Sequence, residues 1–266
     1  MSRTPLRVFP TPEKMGDHLA NRLLDEIEGA RKSGKRFLLG CPTGRTPRPV
    51  YGAMARRVSA APRDISHLIL VMMDEYLVAA GKGFQHAPSA REWSCHHFAR
   101  AEIADRLNAA LEPAQRLRED SIWFPDPRDP ESYDKRIADS GGIDFFMLAS
   151  GASDGHVAFN PPGSPRDSRT RIIRLSEETR RDNLNTFPSF GTLDAVPTHG
   201  ISVGIETVVS AKECAMLASG AGKRLTLERM TKADHYDPQW PATVIHECAV
   251  REILADAEAA SALDGL

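Results

Sequence analysis

The chain has 266 residues, with 34 basic and 36 acidic side chains that leave a formal net charge of −2. So balanced a field gives nucleic acid no general attraction, and the longest apolar runs, such as Leu68 to Met73, are far too short to span a bilayer. With no repeat and no low-complexity block, the length suits one large α/β domain or two small ones and is ample for a sizeable core. The first ten residues lack the apolar run of a secretory signal, and Cys41, Cys95, Cys214 and Cys248 include no CxxC pair. The expectation is a cytoplasmic protein with reduced, buried thiols and no zinc or dithiol site.

Leu6 to Phe9 is a short apolar opening. Thr11 can cap a helix with Pro12 at its first position, and Met15, Leu19, Leu23 and Ile27 recur every fourth residue, so an amphipathic helix is predicted up to Gly34. Phe37 to Gly40 reads as a buried strand running into the turn-rich segment Cys41 to Pro47, where a new helix begins. Leu68 to Met73 is a second buried strand that ends on the acidic pair Asp74 and Glu75. Val78 to Pro88 reads as a Gly-rich loop, Arg91 to Leu107 as a helix, Ile122 to Phe124 as a strand and Pro130 to Ser140 as a helix. Ile143 to Ala149 is the strongest strand pattern and ends in the polar segment Ser150 to His156. Ile201 to Ile205, Cys214 to Ala218 and Ile253 to Ala255 follow as short strands, with Gly222 to Thr231 helical.

Such alternation predicts an α/β, doubly wound, mostly parallel sheet with helices on both faces, as a single domain over residues 1–266 with any disorder confined to its ends. In that class ligands sit outside the carboxyl ends of the strands, where three polar clusters fall. The first is Gly40, Thr43, Gly44, Arg45 and Thr46, a strand-to-helix turn whose amides and hydroxyls can cradle an anion. It matches neither a nucleoside-triphosphate P-loop nor a dinucleotide fingerprint, and a plain turn explains it equally well. The second is Asp74 with Glu75, where burial at the sheet edge would raise a carboxyl towards the range of a general base, unless the pair is a cap or a surface feature. The third is Asp154 with His156, the spacing by which a carboxylate orients an imidazole for proton transfer, or a loop fastening. Ser219 to Lys223 again follows a strand and opens a helix, making Lys223 a second candidate anion ligand. His96, His97 and His246 show no metal spacing and read as solvated or core histidines. Six arginines between Arg166 and Arg181 read as a solvated, salt-bridged face, one or two of them free to meet an anionic ligand.

Four blocks carry a resemblance: LGCPTGRTP at Leu39 to Pro47, MDEYL at Met73 to Leu77, SGASDGHVAFNPP at Ser150 to Pro162 with SRTRIIRL beyond it, and VGIETVVSAKECAMLASGAGK at Val203 to Lys223. In order and spacing, with PATVIHE and LADAEAAS near the end, the chain resembles the glucosamine-6-phosphate deaminase family, of the Rossmann-like NagB, ribose-5-phosphate isomerase and CoA-transferase-like fold. The resemblance implies aldose–ketose isomerisation of a hexose 6-phosphate with loss of ammonia from an amino sugar. It also implies that the Thr43 to Thr46 loop and Lys223 hold the phosphate. Asp74 would move a proton between C2 and C1, and His156, tuned by Asp154, would open the pyranose. Glu75, Gly151, Arg180 and Arg181 are further candidate substrate contacts. No metal or organic cofactor is implied, and the expected partner is a small-molecule sugar phosphate, with a homo-oligomer allowed and neither nucleic acid nor membrane involved.

The chain departs from the family pattern at three positions. Pro161 stands where the family has a glutamate that joins the Asp and His in ring opening. Asn185 stands where an arginine helps to hold the phosphate, leaving Arg180 or Arg181 as nearby substitutes. Ile173 stands where the family's regulatory phosphate site has a basic residue. These departures leave two other readings open: a lactone hydrolase like the sister 6-phosphogluconolactonases, and a non-catalytic sugar-phosphate-binding protein.

Overall fold

The computed structural model describes residues 3–263, so the extreme ends, to which any disorder was expected to be confined, lie outside the described residues. Seven strands form a parallel sheet in the order β1, β11, β10, β7, β2, β3, β6, and four form an antiparallel sheet in the order β5, β4, β9, β8. In chain order the strands are β1 Leu6–Phe9, β2 Phe37–Cys41, β3 Leu68–Met72, β4 Asp74–Ala80, β5 Gly83–His86, β6 Ile122–Trp123, β7 Phe145–Ala149, β8 Arg171–Arg174, β9 His199–Ser202, β10 Glu213–Ala218 and β11 Val250–Asp256. The helices are α1 Pro12–Lys32, α2 Arg48–Ala60, α3 Cys95–Phe98, α4 Asp105–Asn108, α5 Glu131–Asp139, α6 Glu177–Thr186, α7 Ile205–Val209, α8 Arg224–Lys232 and α9 Ala257–Ala260.

The parallel sheet follows from its continuous apolar runs. Successive residues of a strand face opposite ways, and here both faces are covered: Leu38, Val71, Phe146, Leu148 and Met216 enter one core, while Leu39, Leu70, Phe145, Met147 and Leu217 enter the other. α1 begins as its sequence dictates, with the Thr11 side chain accepting from the Lys14 amide and Pro12 in the first turn. It buries Met15, Leu19, Leu23 and Ile27. Gly34, at φ +66°, takes the left-handed conformation just beyond the cap. β2 passes so close to β7 that a Cβ on Gly40 would lie 2.0 Å from the Phe146 ring.

The antiparallel sheet corrects the reading of the chain in three places. Val78 to Pro88 is not a loop: it contains the end of β4 and all of β5, a hairpin turned at Gly81, whose φ is +57°. The strand expected over Ile201 to Ile205 is β9, which ends at Ser202 and pairs antiparallel with β4 and β8 rather than joining the parallel sheet. The arginine-rich stretch holds an edge strand, β8, whose side chains are mostly half-buried or exposed. The helix expected from Arg91 to Leu107 starts only at Cys95, and a π-helical turn at Ala99–Ala104 separates α3 from α4.

One residue, Met73, separates β3 of the parallel sheet from β4 of the antiparallel one. The amide just past β9, on Val203, donates to the Met73 carbonyl at 2.8 Å and clamps the two sheets together at that point. A third apolar cluster, including Tyr76, Phe159, Ile173, Leu175, Phe187 and Phe190, fills the space under α6 and the antiparallel sheet. The candidate site lies where the sheets meet.

Candidate active site

A cleft of about 640 Å³ opens at the carboxyl ends of β2, β3, β7 and β10. Thr43, Gly44, Arg45, Thr46, Asp74, Gly151, His156 and Lys223 all line it, so residues from four separate segments of the sequence converge there. Gly40 ends up inside the sheet, beneath the cleft, and shapes it only through its close contact with Phe146.

Asp74 is the first residue of β4, and this placement decides what the acidic pair does. Alternation along a strand sends Asp74 and Tyr76 into the cleft and Glu75 to the other side. The Asp74 carboxylate accepts from the Cys95 thiol at 3.4 Å, and the Thr43 hydroxyl lies 3.8 Å from the same sulfur. Burial raises the Asp74 carboxyl to about 6, although the Cys95 hydrogen bond and the nearby His156 pull the other way. Such a group takes up and releases protons near neutral pH.

Glu75, expected as a substrate contact, does not line the cleft. Its carboxylate accepts from the amides of Tyr76 (2.7 Å), Cys95 (3.1 Å) and His96 (2.8 Å) and from the Ser94 hydroxyl (2.9 Å), which ties the start of α3 to β4. Its burial is so complete that the carboxyl is pushed up to about 7 in spite of these four donors.

His156 and Asp154 come from the segment after β7. Gly151 N–H donates to the His156 carbonyl at 2.8 Å, and Ser150 bridges Val157, so the segment folds back on itself. His156 Nδ1 meets Asp154 Oδ1 at 2.7 Å. Burial tends to raise the Asp154 carboxyl, but the His156 ring, the His156 amide and the Thr179 hydroxyl outweigh it and hold it at about 2. Asp154 stays ionised behind the ring and leaves Nε2 as the nitrogen free for a substrate. Gly151 is obligatory here, because a Cβ would lie 2.2 Å from His156 Nδ1 and 2.6 Å from Asp154 Oδ1. Asn160 fixes the far end of the segment by donating to the Val157 (3.0 Å) and Val203 (2.8 Å) carbonyls.

The Cys41 to Pro47 loop is held by the Tyr51 hydroxyl, which donates to the Pro42 carbonyl at 2.8 Å, and by Gly44 at φ +91°. Across the cleft, Lys223 Nζ donates to the Ser150 carbonyl, and Thr226 at the start of α8 bonds the Gly151 carbonyl at 3.0 Å. Burial lowers the Lys223 ammonium to about 8, partly opposed by Asp182 and Asp154. Among the described residues, Arg45 and Lys223 are the arginine and lysine that line the cleft.

Arg180 and Arg181 do not. The Arg180 guanidinium donates to the Leu193 (2.6 Å) and Val196 (3.0 Å) carbonyls, and Arg181 pairs with Glu177 on the surface of α6. Asn185 does line the cleft, but brings no charge. Of the histidines without metal spacing, His246 is buried between Thr4 and the Met230 carbonyl, and His96 stacks on Phe124. All four cysteines are free and buried, as expected. Among the described residues no helix is long and apolar enough to cross a membrane.

Two groups at the site, one behind Asp74 and one lining the cleft, escaped the sequence reading. Cys95 reaches Asp74 only through the tertiary fold, and Asp182 on α6 accepts from the Ala152 amide (3.0 Å) with no sequence pattern to mark it. Asp154, His156 and Asp182 each place one ligand atom within 4.8 Å of the others and could jointly hold a cation. Doing so would compete with the short bond that already joins Asp154 to His156.

Known proteins share this fold. A family model described as glucosamine-6-phosphate isomerases/6-phosphogluconolactonase matches residues 10–254. The glucosamine-6-phosphate deaminase of Shouchella clausii is 31% identical over 250 residues, spanning 94% of this chain and 93% of its own. The deaminase of Caenorhabditis elegans is 31% identical over 248 residues, or 93% and 87% of the two chains. The solved structure of a monomeric glucosamine-6-phosphate deaminase superposes with a TM-score of 0.81 at 25% identity, covering 97% of this chain and 99% of that one. The 6-phosphogluconolactonase of Trypanosoma cruzi shares the fold, with a TM-score of 0.68 at 16% identity over 99% and 98% of the chains.

Proposed function

The chain belongs to the glucosamine-6-phosphate isomerase/6-phosphogluconolactonase family, and from that premise we propose that it converts glucosamine 6-phosphate and water to fructose 6-phosphate and ammonia. The observation that carries this reading is the convergence on one cleft of a buried carboxyl poised at about 6, an Asp-oriented imidazole and a cationic loop pair.

In this reading the Thr43 to Thr46 turn, Arg45 and Lys223 hold the phosphate. Two cations and the hydroxyls of Thr43 and Thr46 provide the charge and donors for it, and Arg45 takes the part that Asn185 cannot. His156 gives a proton to the ring oxygen as the pyranose opens, with Asp154 stabilising the imidazolium. Asp74 then takes the proton from C2 and returns it to C1, while O1 gains a proton and N2 loses one, turning the amino aldose into an imine of the ketose with its C1 hydroxyl. Water adds to the imine and ammonia leaves. Cys95 supports Asp74 by hydrogen-bonding its ionised form. The enzyme acts as a single domain on a small sugar phosphate, and four reduced cysteines support a cytoplasmic setting.

Proton NMR with glucosamine 6-phosphate in deuterated water tests the reading. Ammonia appearing together with fructose 6-phosphate supports it. Hydrolysis of 6-phosphogluconolactone in the absence of ammonia release would replace it with the lactonase reading, and binding without product would leave a sugar-phosphate binder.

A further inference from the structure

We propose that Asp182 is a second proton-transfer group of the cleft, the base that takes the anomeric hydroxyl proton while His156 protonates the ring oxygen. The inference rests on the reaction proposed above and adds to it a residue so far without a role.

Asp182 lies on the face of α6 that covers the Asp154–His156 pair. Ser176 caps this helix by accepting from the Thr179 amide at 3.0 Å, and the Thr179 hydroxyl donates to Asp154 Oδ2 at 3.2 Å. Asp182 stands three positions further on, where a helix returns to the same side. Its carboxylate is held firmly at one oxygen only: Oδ2 accepts from the Ala152 amide (3.0 Å), the Ser153 amide (3.4 Å) and the Ser153 hydroxyl (3.1 Å). Oδ1 has no hydrogen-bond partner among the described residues, and the residue lines the cleft. A carboxylate oxygen of Asp182 lies within 4.8 Å of a ring nitrogen of His156. One oxygen is therefore anchored and the other makes no hydrogen bond among the described residues, on a carboxylate that lies close to the imidazole.

Ring opening needs two groups that close together. The O1–H proton must leave as the C1–O1 double bond forms, and O5 must gain a proton as the C1–O5 bond breaks. Both oxygens sit on one carbon, so acid and base must converge on adjacent atoms, each at hydrogen-bond reach. His156 as imidazolium becomes neutral by giving its proton to O5, and Asp182 as carboxylate becomes neutral by taking the proton from O1. Exchange with solvent restores both. The alternative, that Asp182 only latches the Ala152–Ser153 segment, leaves the unbonded oxygen of a cleft-lining carboxylate without a purpose.

The test is Asp182→Asn, whose amide oxygen can still accept from the Ala152 and Ser153 amides. For glucosamine 6-phosphate the variant is expected to lose about 10²-fold in kcat. Its affinity for the acyclic 2-amino-2-deoxyglucitol 6-phosphate, which has no ring to open, should stay within about threefold of the parent. Asp182→Glu should recover part of the lost kcat. An Asp182→Asn variant with parental kcat overturns the proposal, as does a parallel loss of kcat and acyclic-ligand affinity, which would make Asp182 a latch. Failure of the parent chain itself to turn over glucosamine 6-phosphate would show before any variant is made, and would overturn the reaction as well.

Discussion

Asp74 and Glu75 are neighbours in the chain, both buried, both with carboxyls raised towards neutrality by that burial, yet one faces the cleft and the other faces the start of α3. Glu75 has four donors around its two oxygens, whereas Asp74 has a single thiol. A buried carboxylate surrounded by donors is a fastening; one left nearly bare beside open volume has capacity for a substrate proton. Cys95 connects the two, giving its amide to Glu75 and its thiol to Asp74.

Substitution at the two acids should split their effects. Asp74→Asn is expected to lower kcat by about 10²–10⁴-fold while sugar-phosphate affinity stays nearly constant, because the base acts in the transition state. Comparable turnover by the variant would break the contrast. Lys223→Ala removes a contact made equally in ground and transition states, so KM should rise by about tenfold or more with kcat little changed. Glu75→Gln should behave in the opposite way to Asp74→Asn, keeping kcat in the folded protein but costing about 1–3 kcal/mol of stability in thermal or urea unfolding, as a buried group loses its matched donors.

Acidity sharpens the contrast further. Because burial raises Glu75 to about 7 from 4.5, the folded state holds a proton that the unfolded chain has released, so this residue's contribution is fully present below about 4.5 and is lost as pH rises through about 7. Glu75→Gln should flatten that slope. The profile of kcat/KM should instead rise as Asp74 ionises near 6 and fall as Lys223 loses its charge near 8. The smallest effect is expected from Cys95→Ala, which removes the donor that favours ionised Asp74 and should move the acid limb upwards by a fraction of a unit.

The same contrast explains what the sequence made legible. β2, β3, β7, β10 and β11 are buried on both faces, so their apolar runs stand out, and α1 advertises its cap, proline and four-residue spacing. β8 is an edge strand with arginines at both ends, and its pattern is that of a solvated surface. The hairpin of β4 and β5 was hidden by its glycines. At the site, Thr43, His156 and Lys223 carried local signals, since each follows a strand end. Which of Asp74 and Glu75 faces the cleft depended on β4 beginning at Asp74, directly after Met73, and that is set by pairing with β9 across more than a hundred residues. Arg180 was drawn to backbone carbonyls, Asp182 to the Ala152 and Ser153 amides, and neither choice is written in local spacing.

The transferred proton separates the two carboxyls most cleanly. Asp74→Asn and Glu75→Gln, incubated side by side with glucosamine 6-phosphate in deuterated water, should differ sharply: deuterium enters C1 of the fructose 6-phosphate formed by Glu75→Gln, and Asp74→Asn gives exchange and product at least about 10²-fold more slowly. Exchange retained by Asp74→Asn and lost in folded Glu75→Gln would contradict it.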